Sequence, residues 1–141
     1  MAKIPNKIRS IVHERDAAVD QDGYKDHDYI HCCSCGQWHR KEDPSKSQHH
    51  IDSNRLNNEE WNIITWCDGP KGCHGIWHAS SIKNDRKQVI ALSSYHYMVK
   101  LYPDREEHYR KHFKIDLIPD NQTEQFTLEN TRGGNQDVYS F

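Results

Sequence analysis

Residues 47–78 read SQHHIDSNRLNNEEWNIITWCDGPKGCHGIWH. Two runs here suit short strands, Lys46 to Ile51 and Trp61 to Cys67, joined by the polar connection DSNRLNNEE. From Cys73 a short helix is expected, which places His74 and His78 on one face, because residues four apart stack along a helix. The segment therefore predicts two strands and a helix. Strand alternation sends the adjacent His49 and His50 to opposite sides of the pleat, so they must have different roles.

His49, His74 and His78 can then meet from a strand and a facing helix as three imidazole ligands, leaving coordination positions open, as catalytic rather than structural sites do. Imidazoles favour Zn²⁺, Ni²⁺ or Mn²⁺, with the oxygen-preferring Mg²⁺ a further candidate for the catalytic divalent metal. His50, on the other face, is placed to act as a general base on water. A base histidine needs its second ring nitrogen fixed. Asn62 can supply an oxygen for that purpose or hold the loop through hydrogen bonds. Asn54, Asn57 and Asn58 compete for that role; Asn62 is preferred because the apolar Ile63-Ile64 pair that follows would fix its position.

The cysteines bracket this window. Cys32 and Cys35 form a Cys-x-x-Cys pair upstream, and Cys67 and Cys73 lie inside it, a set that can enclose one tetrahedral structural zinc. The rival reading, a redox pair, would need a surrounding βαβ pattern, which is missing. Five cysteines is an odd number, so Cys33 is left as a bystander. His31 and His39 flank the pair and read as loop residues, with zinc ligation the alternative.

Composition agrees with a metal-stapled domain. Only 34% of the 141 residues are hydrophobic and the mean hydropathy is −1.07, little material for an unaided core. No apolar run is long enough to span a membrane. The opening MAKIPNKIRS lacks the apolar stretch of a secretory signal, which predicts a cytoplasmic protein with reduced thiols. Net charge is −2, but residues 115–141 carry five acids against one base, a local −4 that leaves the first 114 residues at +2. Lys83, Arg86 and Lys87, just after the histidine window, are candidate phosphate contacts, as are Lys3, Lys7, Arg9 and Arg15 at the front. Taken singly, each suits a solvated helix face. The four tryptophans are expected to fill the core.

Outside the window, residues 5–19 predict a helix with Ile8, Ile11 and Val12 on one face. DQDGYKDHD predicts a turn-rich loop, and Tyr29 to Cys33 a short strand. Helices are expected over Gln88 to Tyr102, with a stripe of Val89, Leu92, Tyr95, Val99 and Tyr102, and over Asp104 to Lys114. Pro103 divides them. Residues 1–118 form the domain, and 119–141 an acidic tail.

The motif His49-His50-Ile51, the stretch Asn62 to Cys67, Cys73-His74-x-x-x-His78 and the upstream Cys32-x-x-Cys35 together resemble the HNH, or ββα-metal, endonuclease family. Looser likenesses, in IVHERD from Ile11, CCSCG from Cys32 and LNNEEWNI from Leu56, are to the phage NinG/Rap recombination endonucleases, which act on branched DNA. The chain departs from the HNH pattern in placing five residues, DGPKG, between Cys67 and Cys73. The resemblance implies an α+β fold: a small zinc-stabilised, treble-clef-like ββα-metal core with flanking helices. It gives His50 the base role, Asn62 the middle-asparagine role, and His49, His74 and His78 the catalytic metal. The implied activity is hydrolysis of DNA to 5′-phosphate and 3′-hydroxyl ends by a phage-encoded protein, with a homodimer suited to cutting both strands. The reading from a different class is a non-catalytic zinc module that binds nucleic acid or a protein.

Overall fold

The computed structural model describes residues 4–69 and 71–119; the expected acidic tail, apart from Pro119, lies outside them. The fold is α+β. In chain order come α1 (Asn6–Arg15), β1 (Ala17–Val19), β2 (Lys25–His31), β3 (Trp38–Arg40), β4 (Lys46–His50), β5 (Ile63–Cys67), α2 (Cys73–Ala79), α3 (Asp85–Leu101) and α4 (Glu106–His112). The strands form two antiparallel sheets, β1-β2-β3 and β4-β5. Among the described residues, no helix is long and apolar enough to cross a membrane.

The first helix stops at Arg15 rather than continuing to residue 19. The next residue, Asp16, is fully buried and takes both Arg15 Nε and Arg15 Nη2 at 2.8 Å. Its carboxylate also accepts from Thr65 Oγ1 at 2.8 Å and Tyr97 Oη at 2.6 Å. Burial pushes the Asp16 pKa up, but the Arg15 charge and these hydrogen bonds outweigh it and hold the group below the usual carboxylate value. Arg15 goes on to donate to the carbonyls of Glu60 and Ile63, each at 2.7 Å. It thus ties α1 to β5, and is a structural cation rather than a surface one.

The expected loop DQDGYKDHD is a hairpin turn followed by most of β2. Asp20 Oδ1 accepts from the backbone N–H groups of Asp22 and Tyr24, and Gly23 takes φ +88°. That Asx-type turn closes β1 onto β2, so a strand forms from a segment with almost no apolar residues. His31 and His39 consequently lie in strands, with His39 opposite Ile30.

The main core fills the space between β4-β5 and the helices α2, α3 and α4. Trp66, Trp77, Tyr109 and Phe113 dominate it, with Ile64, Leu92 and Met98. Trp66 and Trp77 are core residues as expected, whereas Trp38 is 44% exposed and Trp61 is half-buried under Arg105. The buried face of α3 is displaced from the expected stripe. Val89 is exposed, and Ile90, Ser93, Ser94, Tyr97 and Met98 point inward with Leu92. Two of those serines are satisfied by specific partners: Ser94 Oγ accepts from Trp66 Nε1 at 2.9 Å, and Ser93 Oγ meets Ser34 Oγ at 2.8 Å. A polar pair can occupy a core only when bonded in this way, which is why hydropathy alone misplaces the stripe.

Candidate active site

In the β4-β5 ladder His49 stands opposite Ile64 and His50 opposite Ile63. His49 is buried on the side of Trp66, with ring centroids 4.6 Å apart. The expected division of the two histidines between the faces of the strand is therefore realised. On α2, His74 Nε2 and His78 Nε2 approach to 3.0 Å. The ligand atoms of His49, His74 and His78 all lie within 4.8 Å of one another, close enough to hold one metal ion.

The orientation of His74 is set from behind. Its Nδ1 contacts Ser47 Oγ at 2.9 Å and Asp68 Oδ1 at 3.1 Å. With the Nδ1 proton donated to the carboxylate, the Nε2 lone pair faces His78, the arrangement that fixes a metal-ligating imidazole. Neither Ser47 nor Asp68 stood out in the sequence, although Ser47, two residues before His49, shares its strand face. Burial, followed by the proximity of His74 and His78, pushes the His49 pKa down to about 3. Burial and His74 lower that of His78 as well. Both are held neutral, the state a metal requires.

His50 is half-buried, and its Nε2 lies 2.8 Å from Asn58 Oδ1. With that oxygen accepting, His50 carries its proton on Nε2 and keeps the Nδ1 lone pair as the basic atom. Asn58, not Asn62, is therefore the residue that fixes the ring. Asn62 takes the other role considered for it. Fully buried, it donates from Nδ2 to Asp52 Oδ1 and to the Asn57 carbonyl, both at 2.9 Å, and so holds the 51–58 loop that carries Asn58.

The second cluster is the four cysteines. Ligand atoms of Cys32, Cys35, Cys67 and Cys73 also lie within 4.8 Å of one another. Cys35 Sγ and Cys67 Sγ are 3.7 Å apart. Thiolates bound to one tetrahedral zinc stand about 3.8 Å from each other, so the spacing fits. The knuckle is shaped for it. Gly36, at φ +80°, turns the chain so that its N–H reaches Cys32 O at 2.9 Å, while Cys35 N and Cys73 N point at the sulfurs of Cys32 and Cys67. Hydrogen bonding from Cys32 holds Cys35 down at about 7 and Cys67 lower still. Cys32 itself is pushed up by its bonds to Cys35, Cys67 and Cys73. Four such sulfurs, mostly buried and unable to ionise together unaided, could hold a structural metal such as zinc. The five-residue spacing between Cys67 and Cys73 does not prevent this. Cys33 is fully buried outside the cluster and donates its N–H to Thr65 O.

The three candidate phosphate contacts that follow the histidine window separate. Lys83 and Arg86 are exposed, and Arg86 lines a cavity beside Cys35 and Cys73. Lys87 does not fit the expected role. It is 6% exposed, donates to the carbonyls of Trp77 and Ser80 at 2.6 and 2.7 Å, and lies over the Trp77 ring. Those carbonyls belong to the end of α2, where a cation completes unsatisfied acceptors.

Comparisons of the chain with protein-family models, curated proteins and solved structures find no match. The functional reading accordingly rests on the chemistry of the two clusters.

Proposed function

We propose that this chain is a metal-dependent DNA endonuclease of the HNH type, in which β4, β5 and α2 form a zinc-stapled, treble-clef-like ββα-metal core. The observation that carries the reading is the meeting of His49, His74 and His78, with His50 on the opposite strand face bearing a basic Nδ1. A bare structural zinc module would need the cysteines alone and has no use for three converging imidazoles with a carboxylate behind one of them.

A divalent cation held by the three imidazoles would supply Lewis-acid stabilisation of charge on the phosphate and on the departing 3′ oxygen. The protein residues do the rest. His50 Nδ1 accepts a proton from water as the water oxygen bonds to phosphorus. The bond from phosphorus to the 3′ oxygen breaks, that oxygen takes a proton from solvent water and the His50 proton returns to solvent, leaving 5′-phosphate and 3′-hydroxyl ends. Asn58 holds the ring so that Nδ1 stays the basic atom throughout. Lys83 and Arg86 are the cations left to contact the DNA backbone.

The likeness to phage recombination nucleases makes branched DNA a substrate to compare with duplex, and a homodimer would serve two-strand cleavage in the host cytoplasm. The experiment is a titration of Mn²⁺, Ni²⁺, Zn²⁺ and Mg²⁺ against supercoiled plasmid and a four-way junction. Metal-dependent nicking supports the enzyme. Binding of DNA without cleavage at any metal would favour the non-catalytic module.

A further inference from the structure

We infer that His108 on α4, outside the hairpin and helix that carry the imidazole cluster, is a positioning residue for His50. The inference rests on the reading of His50 as the base and extends it to a residue that none of the motifs includes.

The argument begins with the amide of Asn62. A buried asparagine has two N–H donors and two oxygen lone pairs to satisfy. Both donors are used, on Asp52 Oδ1 and on the Asn57 carbonyl. The oxygen accepts the Asp52 N–H at 3.3 Å, and its remaining position faces His108 Nε2 at 2.8 Å. The amide cannot be turned over, because its NH₂ would then confront the Asp52 N–H. His108 must therefore be the donor, protonated on Nε2.

From Asn62 the contacts run inward to His50. The carbonyl it holds is that of Asn57, which forms the peptide bond to Asn58. Asn57 Nδ2 in turn donates to Asp52 Oδ2 at 2.9 Å, closing the loop on itself. Asn58 then accepts from His50 Nε2. Asn62 is the member that joins α4 to the 51–58 loop, so a loosened Asn62 releases the loop end that orients the base.

The position of His108 is independently fixed. Tyr109 Oη donates to Trp61 O at 2.6 Å, and the His108 ring packs edge-on against Trp61 with centroids 5.0 Å apart. α4 therefore stays docked beside Asn62 when only the His108 donor is removed.

Two variants of the zinc-loaded full chain separate donation from packing. His108→Phe keeps a ring against Trp61 but cannot donate, and His108→Gln keeps a donor. The first readout is long-range ¹⁵N–¹H NMR of the histidine rings at pH 8, which reports the His50 tautomer whether or not the protein cleaves DNA. Wild type and His108→Gln should show His50 protonated on Nε2, and His108→Phe should show the two tautomers averaging. The second readout is plasmid cleavage: kcat should fall about ten- to a hundredfold in His108→Phe with KM unchanged, the cost of a misplaced catalytic group. A folded His108→Phe with unaltered His50 resonances overturns the inference, as does a His108→Gln that behaves like His108→Phe. A wild-type protein that cleaves nothing rejects the nuclease reading alone, because the tautomer still decides the coupling.

Discussion

His49 lies nearly flat on Trp66, the two ring planes only 22° apart. The indole is itself fixed by its bond to Ser94 and by packing against Trp77 and Phe113. The imidazole is thus pressed against a rigid apolar wall, and that burial is the main reason its pKa falls to about 3.

A pH effect on stability follows. The folded value lies below the ordinary histidine value near 6.5, so between those limits the unfolded chain binds a proton that the folded chain does not. Stability from a neutral His49 is complete above about pH 6.5 and is lost as the pH falls toward 3, by about 1.4 kcal/mol per unit. Urea unfolding of wild type and His49→Leu, each with one equivalent of zinc, should show wild type losing about 1 kcal/mol more than the variant between pH 7 and 5.5. Parallel losses would contradict the account.

Two clusters of different chemistry should be visible in metal content. Wild type is expected to bind two zinc equivalents. His78→Ala should bind one and remain folded, since only the imidazole set is broken. Cys35→Ser should lose its helical circular dichroism, because the binding free energy of a structural metal is folding free energy. A folded Cys35→Ser that retains both ions would refute the assignment of the thiolates.

Much of the site was legible because its spacing obeys simple periods. Adjacent histidines on a strand part to opposite faces, and residues four apart on α2 converge, so His49, His74 and His78 could be placed together from sequence. The four cysteines were equally readable. What could not be read depended on tertiary contacts with no local signature. Asn58 and Asn62 sit four apart in a run of polar residues, and only the folded 51–62 segment shows that one meets His50 while the other holds the loop. Lys87 looks like any helix cation until α2 ends above it. The expected strand from Tyr29 overlaps the end of β2, but its first four residues, Lys25 to Asp28, are hidden because their pairing is driven by the Asp20 turn, not by apolar alternation. The break after Arg15 is hidden for a similar reason: Asp16 is drawn inward by Thr65 and Tyr97 from distant segments.

Asn58 gives a kinetic prediction. Asn58→Leu removes the acceptor that His50 Nε2 meets at 2.8 Å, so the ring is free to turn. The kcat of plasmid cleavage should fall about ten- to a hundredfold while metal content and fold stay those of wild type. A variant that cleaves as fast as wild type would show that Asn58 does not hold the catalytic ring.

Lys87 separates structural from DNA-binding cations. Lys87→Met removes donors from two carbonyls at the end of α2 and should destabilise the fold by about 1–3 kcal/mol, measured by denaturant unfolding. Lys83→Ala and Arg86→Ala should leave stability within about 0.5 kcal/mol of wild type. They should instead weaken DNA binding and flatten its salt dependence, as read by fluorescence anisotropy. The reverse pattern would return Lys87 to the surface.

The most direct test of the nuclease account is nicking of supercoiled plasmid by His50→Ala beside wild type, with the metal content of both measured. Wild type should convert supercoiled to open-circular DNA with a divalent cation. His50→Ala should be slower by about 10²–10⁴-fold while holding the same metals and the same fold. Equal cleavage by the two proteins, or none by wild type at any metal, would contradict the account.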